Sequence, residues 1–336
     1  MTQAMHNVSD GVTEAVGNTA LIRLPKLSAH LGRDLFAKAE HLNPGGSIKD
    51  RAAKTMILEA ERSGKLKPGG TIVEGTAGNT GIGLAMIGLA RGYKTLIVMP
   101  NNQAEEKYSY LRALRAELVT VPPTKFADQA HFYHTARRLA EERGLFWADQ
   151  FENEANALAH YSSTGPEIWR DMNGHIDALV LASGTGGTIG GTSKFLKEQD
   201  PKIRVVLADP AGSGLYNFVK HGEWKSEGSS ITEGIGIMRL TKNFAQAKID
   251  DAVQVSDLKM VEMAHWLLAH EGLFAGTSAA LNVYAAAKVA LTLPKGARVV
   301  TFVCDGGQRY QSRLFEQKYL DEKGLTPKAT SLDGIL

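Results

Sequence analysis

The sequence predicts an α/β protein made of two interwoven open parallel-sheet domains with flanking helices. Three observations carry that prediction. Strand-like and helix-like runs alternate from residue 34 onward, and the alternation resumes as a second unit after residue 177. Glycine-rich stretches fall at strand-to-helix junctions in both halves, at 75–81 and 183–188, where open α/β sheets bind ligands. The length of 336 residues allows two domains at roughly 150 residues each.

In chain order, 34–40 reads as a strand and 48–62 as a helix. The helix rests on Ile48, Ala52, Ala53, Met56, Ile57 and Ala60, which recur on one face. Lys49 therefore stands at a helix start. Strands follow at 71–74, 94–99, 117–121 and 145–148, separated by helices at 80–91, 105–116 and 127–143. The second unit opens with a strand at 177–182, a glycine loop, a helix ending at 198 and a strand at 203–208. An irregular stretch, 212–251, precedes helices at 257–270 and 277–290 and a last strand at 298–303. The βα succession implies parallel strands. With no Pro/Ser-rich tether, the domains are expected to interweave: 41–154 as a smaller α/β domain, 1–40 with 155–325 as a larger one, and 326–336 as a tail.

Composition excludes several classes. The 38 Lys and Arg against 36 Asp and Glu give a net charge of +2 with the signs interspersed, so no nucleic-acid partner is implied. No run approaches about 18 apolar residues, and residues 1–16 carry Asp10 and Glu14 without an apolar signal core, so neither membrane insertion nor export is expected. The single cysteine, Cys304, excludes an intrachain disulfide and points to a reducing, cytoplasmic setting. It ends an apolar strand and reads as a small packed side chain. His131 and His134 are three apart, but without a neighbouring HExxH-type carboxylate they read as a helix face, and no metal is assigned.

Glycine is in excess, 35 residues, and its clusters locate the candidate chemistry. Ser183-Gly184-Thr185-Gly186-Gly187-Thr188 joins a strand to a helix, where backbone N–H groups cradle an anion. A dinucleotide is one reading, with Asp209 at the end of the next strand as the ribose carboxylate. Against it, the third position of G-x-G-x-x-G is Ile189, where helix packing wants glycine or alanine. One phosphate monoester suits the hydroxyl-rich loop better, and a Cβ at Gly186 or Gly187 is expected to block its approach.

Asn43-Pro44-Gly45-Gly46-Ser47-Ile48-Lys49-Asp50-Arg51 places Lys49 on a helix's first turn, where the dipole disfavours its charge and favours Schiff-base chemistry. Gly75-Thr76-Ala77-Gly78-Asn79-Thr80-Gly81 is a second donor-rich loop. Two anion cradles and one lysine suggest pyridoxal phosphate with an amino-acid substrate.

These motifs resemble the cysteine synthase and cystathionine β-synthase family of fold-type II pyridoxal phosphate enzymes. Gly17-Asn18-Thr19-Ala20-Leu21 is similar to the family's G-N-T-P-L, the lysine segment to N-P-x-x-S-x-K-D-R, and Gly184 to Thr188 to G-T-G-G-T. Thr164-Gly165-Pro166-Glu167-Ile168-Trp169 and Glu233-Gly234-Ile235-Gly236 resemble two further family stretches. The resemblance implies a cofactor in the cleft between the domains, carried by Lys49, with Asn79 near its phenolic oxygen. It also implies a phosphate on Gly184, Thr185, Gly186, Gly187 and Thr188, and a substrate carboxylate on Thr76, Ala77, Gly78, Asn79 and Thr80, aided by Gln150. The implied reaction is β-replacement, O-acetyl-L-serine with sulfide or a thiol giving cysteine, in a homodimer. Alternatives are β-elimination from cysteine or serine, or a cofactor-binding regulatory protein without turnover.

The chain departs from the family pattern at three places. Ala77 replaces a serine, Gly306 stands where a serine hydroxyl usually meets the pyridine nitrogen, and 101–105 differs from the usual continuation. The final Ile335 and Leu336 resemble the isoleucine-ended peptide that serine acetyltransferase offers such enzymes. They are expected either to compete for the 76–80 loop or to form a loose terminus.

Overall fold

The computed structural model describes residues 8–76, 78–103 and 105–336. Among them the strands are β1 (Leu21–Arg23), β2 (Asp34–Ala39), β3 (Thr71–Gly75), β4 (Lys94–Pro100), β5 (Glu117–Val121), β6 (Phe146–Trp147), β7 (Ala178–Ala182), β8 (Arg204–Pro210), β9 (Asp251–Val255) and β10 (Arg298–Val303). They form a four-stranded sheet, β5-β4-β3-β6, and a six-stranded sheet, β1-β2-β10-β7-β8-β9. All pairings are parallel except β1 with β2. The antiparallel β1 was not expected: three residues ending just before Pro25 are too short to show a period.

The smaller unit holds the described residues up to Asn18, then Asn43–Gly45 and Lys49–Asp149. Both faces of its sheet are covered, which is why β4 reads as an unbroken apolar run rather than an alternation. Ile97 and Met99 pack with Ile82, Tyr108 and Leu111 on one face, and Leu96 and Val98 with Val73, Ala136 and Ala140 on the other. The helix expected from 127 begins only at Phe132. Asp128 Oδ1 accepts the Ala130 N–H at 2.8 Å and His131 Nδ1 accepts that of Tyr133 at 3.3 Å, so a side-chain-held turn and cap displace the first helical turn.

The larger unit holds Thr19–Leu42, Gly46–Ile48 and Gln150–Leu336. Successive residues of its central strands serve opposite faces: Val206 and Ala208 pack beneath one layer of helices, and Val205 and Leu207 beneath the other. The helix Thr277–Leu291 is apolar around most of its circumference and lies buried in the first layer. A helical run at 155–171 was not anticipated; it comprises Ala155–Ala159, a π turn at His160–Thr164 and Gly165–Asp171.

The division differs from the expected boundaries at both ends. The leader joins the smaller unit because Gly17 N donates to Asn43 Oδ1 at 3.0 Å and Lys54 pairs with Glu14 at 3.1 Å. Residues 46–48 join the larger unit, since Ile48 N donates to the Cys304 carbonyl at 2.9 Å and Ser47 bridges Asp305. Ile48 thus enters the larger core instead of opening the helix, which starts at Lys49. The tail is not loose: Leu332 and Ile335 are buried in the larger core, and Lys288 Nζ donates to the Leu336 carbonyl at 2.8 Å.

Candidate active site

In the smaller unit, the approach to Lys49 is closed by its neighbour. Asp50 Oδ2 accepts the Gly45 N–H at 2.6 Å, folding the turn onto the start of the helix Lys49–Arg62. A second helix, Asn79–Ala90, packs against that start through Gly83, where a Cβ would lie 3.3 Å from the Lys49 carbonyl oxygen and 3.1 Å from Ala53 Cβ. Glycine permits this approach, so half-buried Lys49 and the loop ending in Asn79 share one corner of the unit. Thr76 and Thr80 are buried, Thr76 N bonds the Val98 carbonyl at 2.9 Å, and Gly78 N donates to Thr76 Oγ1 at 3.3 Å. Ala77 lies outside the described residues. Lys107, which sequence reasoning passed over, is buried beside the loop, with Nζ 3.5 Å from where a Gly78 Cβ would stand.

In the larger unit, 183–188 links β7 to the helix Gly187–Gln199. Ser183 Oγ is buried at its mouth with no hydrogen-bond partner among the described residues. Thr185 Oγ1 accepts from Asn156 Nδ2 at 2.9 Å, and Thr188 Oγ1 lies 3.2 Å from His160 Nε2, whose Nδ1 meets Thr164 Oγ1 at 2.9 Å. The loop's hydroxyls are therefore set by Asn156 and His160, two site-supporting residues whose only sequence signal was their place in the overlooked run at 155–171. Gln150 belongs to this unit, and its carbonyl accepts from Asn156 Nδ2 at 2.8 Å and Asn243 Nδ2 at 3.1 Å. A helix start, oriented hydroxyls and an orphaned Ser183 oxygen fit a phosphate group.

The loop glycines also admit close packing within the protein. At Gly186, with φ +91°, a Cβ would sit 2.5 Å from Phe244 Cα, at Gly187 it would sit 2.8 Å from Asn156 Nδ2, and at Gly184 it would meet Gly234. Their missing side chains make room for the protein itself. Asp209 is no ribose ligand. Fully buried, it accepts the Tyr216 N–H at 2.8 Å, while burial pushes its carboxyl up to about 7.

At the end of β10, Gly306 pairs with Ala275 and Asp305 with Ser47. Asp305 is buried and accepts the Tyr310 hydroxyl at 2.7 Å; burial, then the Asp305 charge, hold that phenol well above its usual range. Cys304 is a free thiol, accepting from Asn282 Nδ2 at 3.4 Å. His131 caps a helix, and His134 Nε2 lies 2.7 Å from the Phe126 carbonyl.

Two open, mostly parallel sheets, one with a phosphate-type cradle and the other with a lysine at a helix start, define an α/β enzyme of the pyridoxal phosphate class. The family model described as pyridoxal-phosphate dependent enzyme matches residues 12–305, and the chain belongs to that family, with pyridoxal 5'-phosphate as its cofactor. It is 48% identical over 324 residues to cysteine synthase 1 of Neurospora crassa, covering 95% of this chain and 86% of the relative. It is 44% identical to cysteine synthase 2 of Schizosaccharomyces pombe, covering 98% and 89%. Among solved structures, O-ureido-L-serine synthase matches with a TM-score of 0.85 at 33% identity, over 97% of this chain and 98% of that one.

Proposed function

We propose that this enzyme catalyses β-replacement on an L-serine derivative, O-acetyl-L-serine and hydrosulfide giving L-cysteine and acetate. Similarity to cysteine synthases along nearly the whole chain carries the reading. Bound pyridoxal phosphate supplies a carbonyl carbon for an amine and a ring that withdraws electrons from Cα. Lys49 would carry the cofactor through its Nζ and, once released, would take the Cα proton and give it back to Cα after sulfur has added. The hydroxyls of Thr76 and Thr80 and the N–H groups of Ala77, Gly78, Asn79 and Thr80 would hold the substrate carboxylate at the start of a helix, with Gln150 assisting and Asn79 also reaching the cofactor's phenolic oxygen. Gly184, Thr185, Gly186, Gly187 and Thr188 would hold the phosphate, and Gly306 would stand beside the ring. The Cβ–O bond breaks with acetate leaving, and a Cβ–S bond forms from hydrosulfide.

Among the described residues no helix is long and apolar enough to cross a membrane. The family resemblance supports a homodimer, and the lone free thiol suits the cytoplasm. The test is product analysis of cofactor-loaded protein given O-acetylserine. Sulfide should divert the reaction to cysteine faster than water releases pyruvate. Pyruvate formed at one rate with or without sulfide moves the assignment to a lyase.

A further inference from the structure

We propose that the side-chain amide of Gln308 is the protein's partner for the ring nitrogen of the cofactor, occupying the space that glycine at 306 leaves open. The inference rests on the reading of Gly306 as lying at the ring. Gly306 has φ −94° and ψ 156°, a conformation any residue adopts, so the backbone does not demand glycine there. What glycine supplies is room. A Cβ at 306 would stand 2.7 Å from Gln308 Cδ and 2.8 Å from Gln308 Nε2, well inside van der Waals contact, and would also strike Oε1. The direction of that missing side chain is fixed, because Ser47 bridges Asp305, Ala275 bridges Gly306, and Gly307 N donates to the Phe274 carbonyl at 2.9 Å. The 3-10 turn Gly307–Arg309 then curls Gln308 back, so its carboxamide fills the volume a residue-306 side chain would take.

Asp305, a charged neighbour in the chain, directs its carboxylate toward other elements, although its Oδ1 is buried without a hydrogen-bond partner among the described residues. Its Oδ2 accepts from Tyr310, and its Oδ1 fills the position of a Gly276 side chain at the start of the helix Thr277–Leu291. Gln308 is exposed, and its amide makes no hydrogen bond among the described residues. A carboxamide donates through Nε2 but neither gives nor takes a proton at neutral pH, so the ring nitrogen it meets stays unprotonated and uncharged. An uncharged ring withdraws electrons less strongly, which favours departure of the Cβ substituent over return of the proton to the cofactor's own carbon.

The experiment loads the full chain with cofactor labelled with 15N in the ring and reads the nitrogen resonance, with cofactor affinity measured separately on the apoprotein. The wild-type signal should be that of an unprotonated, hydrogen-bonded nitrogen. Gln308→Glu should move it to the protonated position, and Gln308→Leu should weaken cofactor binding about five- to tenfold, as for one lost hydrogen bond. The double variant Gly306→Ser with Gln308→Ala should bind as the wild type does. A nitrogen already protonated in the wild type overturns the proposal, as does a resonance that Asp305→Asn shifts while Gln308→Glu does not. The resonance is read without turnover, so failure to make cysteine leaves this result standing and counts only against the proposed reaction.

Discussion

Lys38 Nζ lies 2.8 Å from the Glu167 carboxylate, both side chains being buried in the larger unit. The ammonium also sits 3.5 Å from Asp171 and donates to the Thr19 carbonyl at 2.6 Å. Thr19 in turn donates to Glu40 at 2.7 Å. Two stretches that resemble family motifs, 17–21 and 164–169, are thus tied by one lysine on β2. Glu167→Gln leaves that ammonium short of its nearest countercharge and should cost about 3–5 kcal/mol in denaturant unfolding. Replacing Lys38 and Glu167 together with methionine should cost clearly less, because no buried charge is then stranded.

Gly186→Ala should destabilise the apoprotein itself, by about 2 kcal/mol or more, since the new Cβ meets the Phe244 backbone at a left-handed φ. Thermal unfolding without cofactor measures this. An unchanged apo transition accompanied by lost cofactor binding would return the glycine to the role the sequence suggested.

Asp209 should make the enzyme less stable as pH rises. Its carboxyl moves from 3.8 unfolded to about 7 folded, chiefly through burial, so the folded state holds the proton more tightly. The stabilisation is complete below about pH 4 and is lost as pH climbs through 7, by an amount on the order of a few kcal/mol. Asp209→Asn should flatten the denaturation midpoint across that window while keeping the acceptor for Tyr216 N. A wild-type midpoint that rises from pH 4 to 7, with the same slope in the variant, would sink this assignment.

Lys49→Ala should abolish the yellow, borohydride-reducible linkage to the cofactor while leaving the fold intact, because the side chain is half-exposed at a helix start. Absorbance and borohydride trapping together check it. Retained trapping would place the linkage on another lysine.

Ile335→Ala should destabilise by about 2–4 kcal/mol, since the side chain is fully buried, with no change in affinity for O-acetylserine. Denaturation and substrate titration on the same preparation separate the two effects. Weakened or strengthened substrate binding at unchanged stability would restore a regulatory role for the tail.

By itself the sequence determined the parallel βα architecture, a helix over 48–62 with Lys49 in its first turn, and the two donor-rich loops. Each of these depends on residues close together in the chain: the apolar face from Ala52 to Ala60, the apolar run of β4, and the hydroxyls and glycines of 183–188. Only the tertiary structure decided the rest. Ile48 left its helix for the larger core because Cys304 holds its N–H. Asn156 and His160 came to orient Thr185 and Thr188 across about thirty residues of chain, as their separations of 29 and 28 positions record. The glycines at 186, 187 and 306 yield space to Phe244, Asn156 and Gln308. Periodicity and motif spacing report which atoms a segment presents, whereas burial between distant segments decides what those atoms meet.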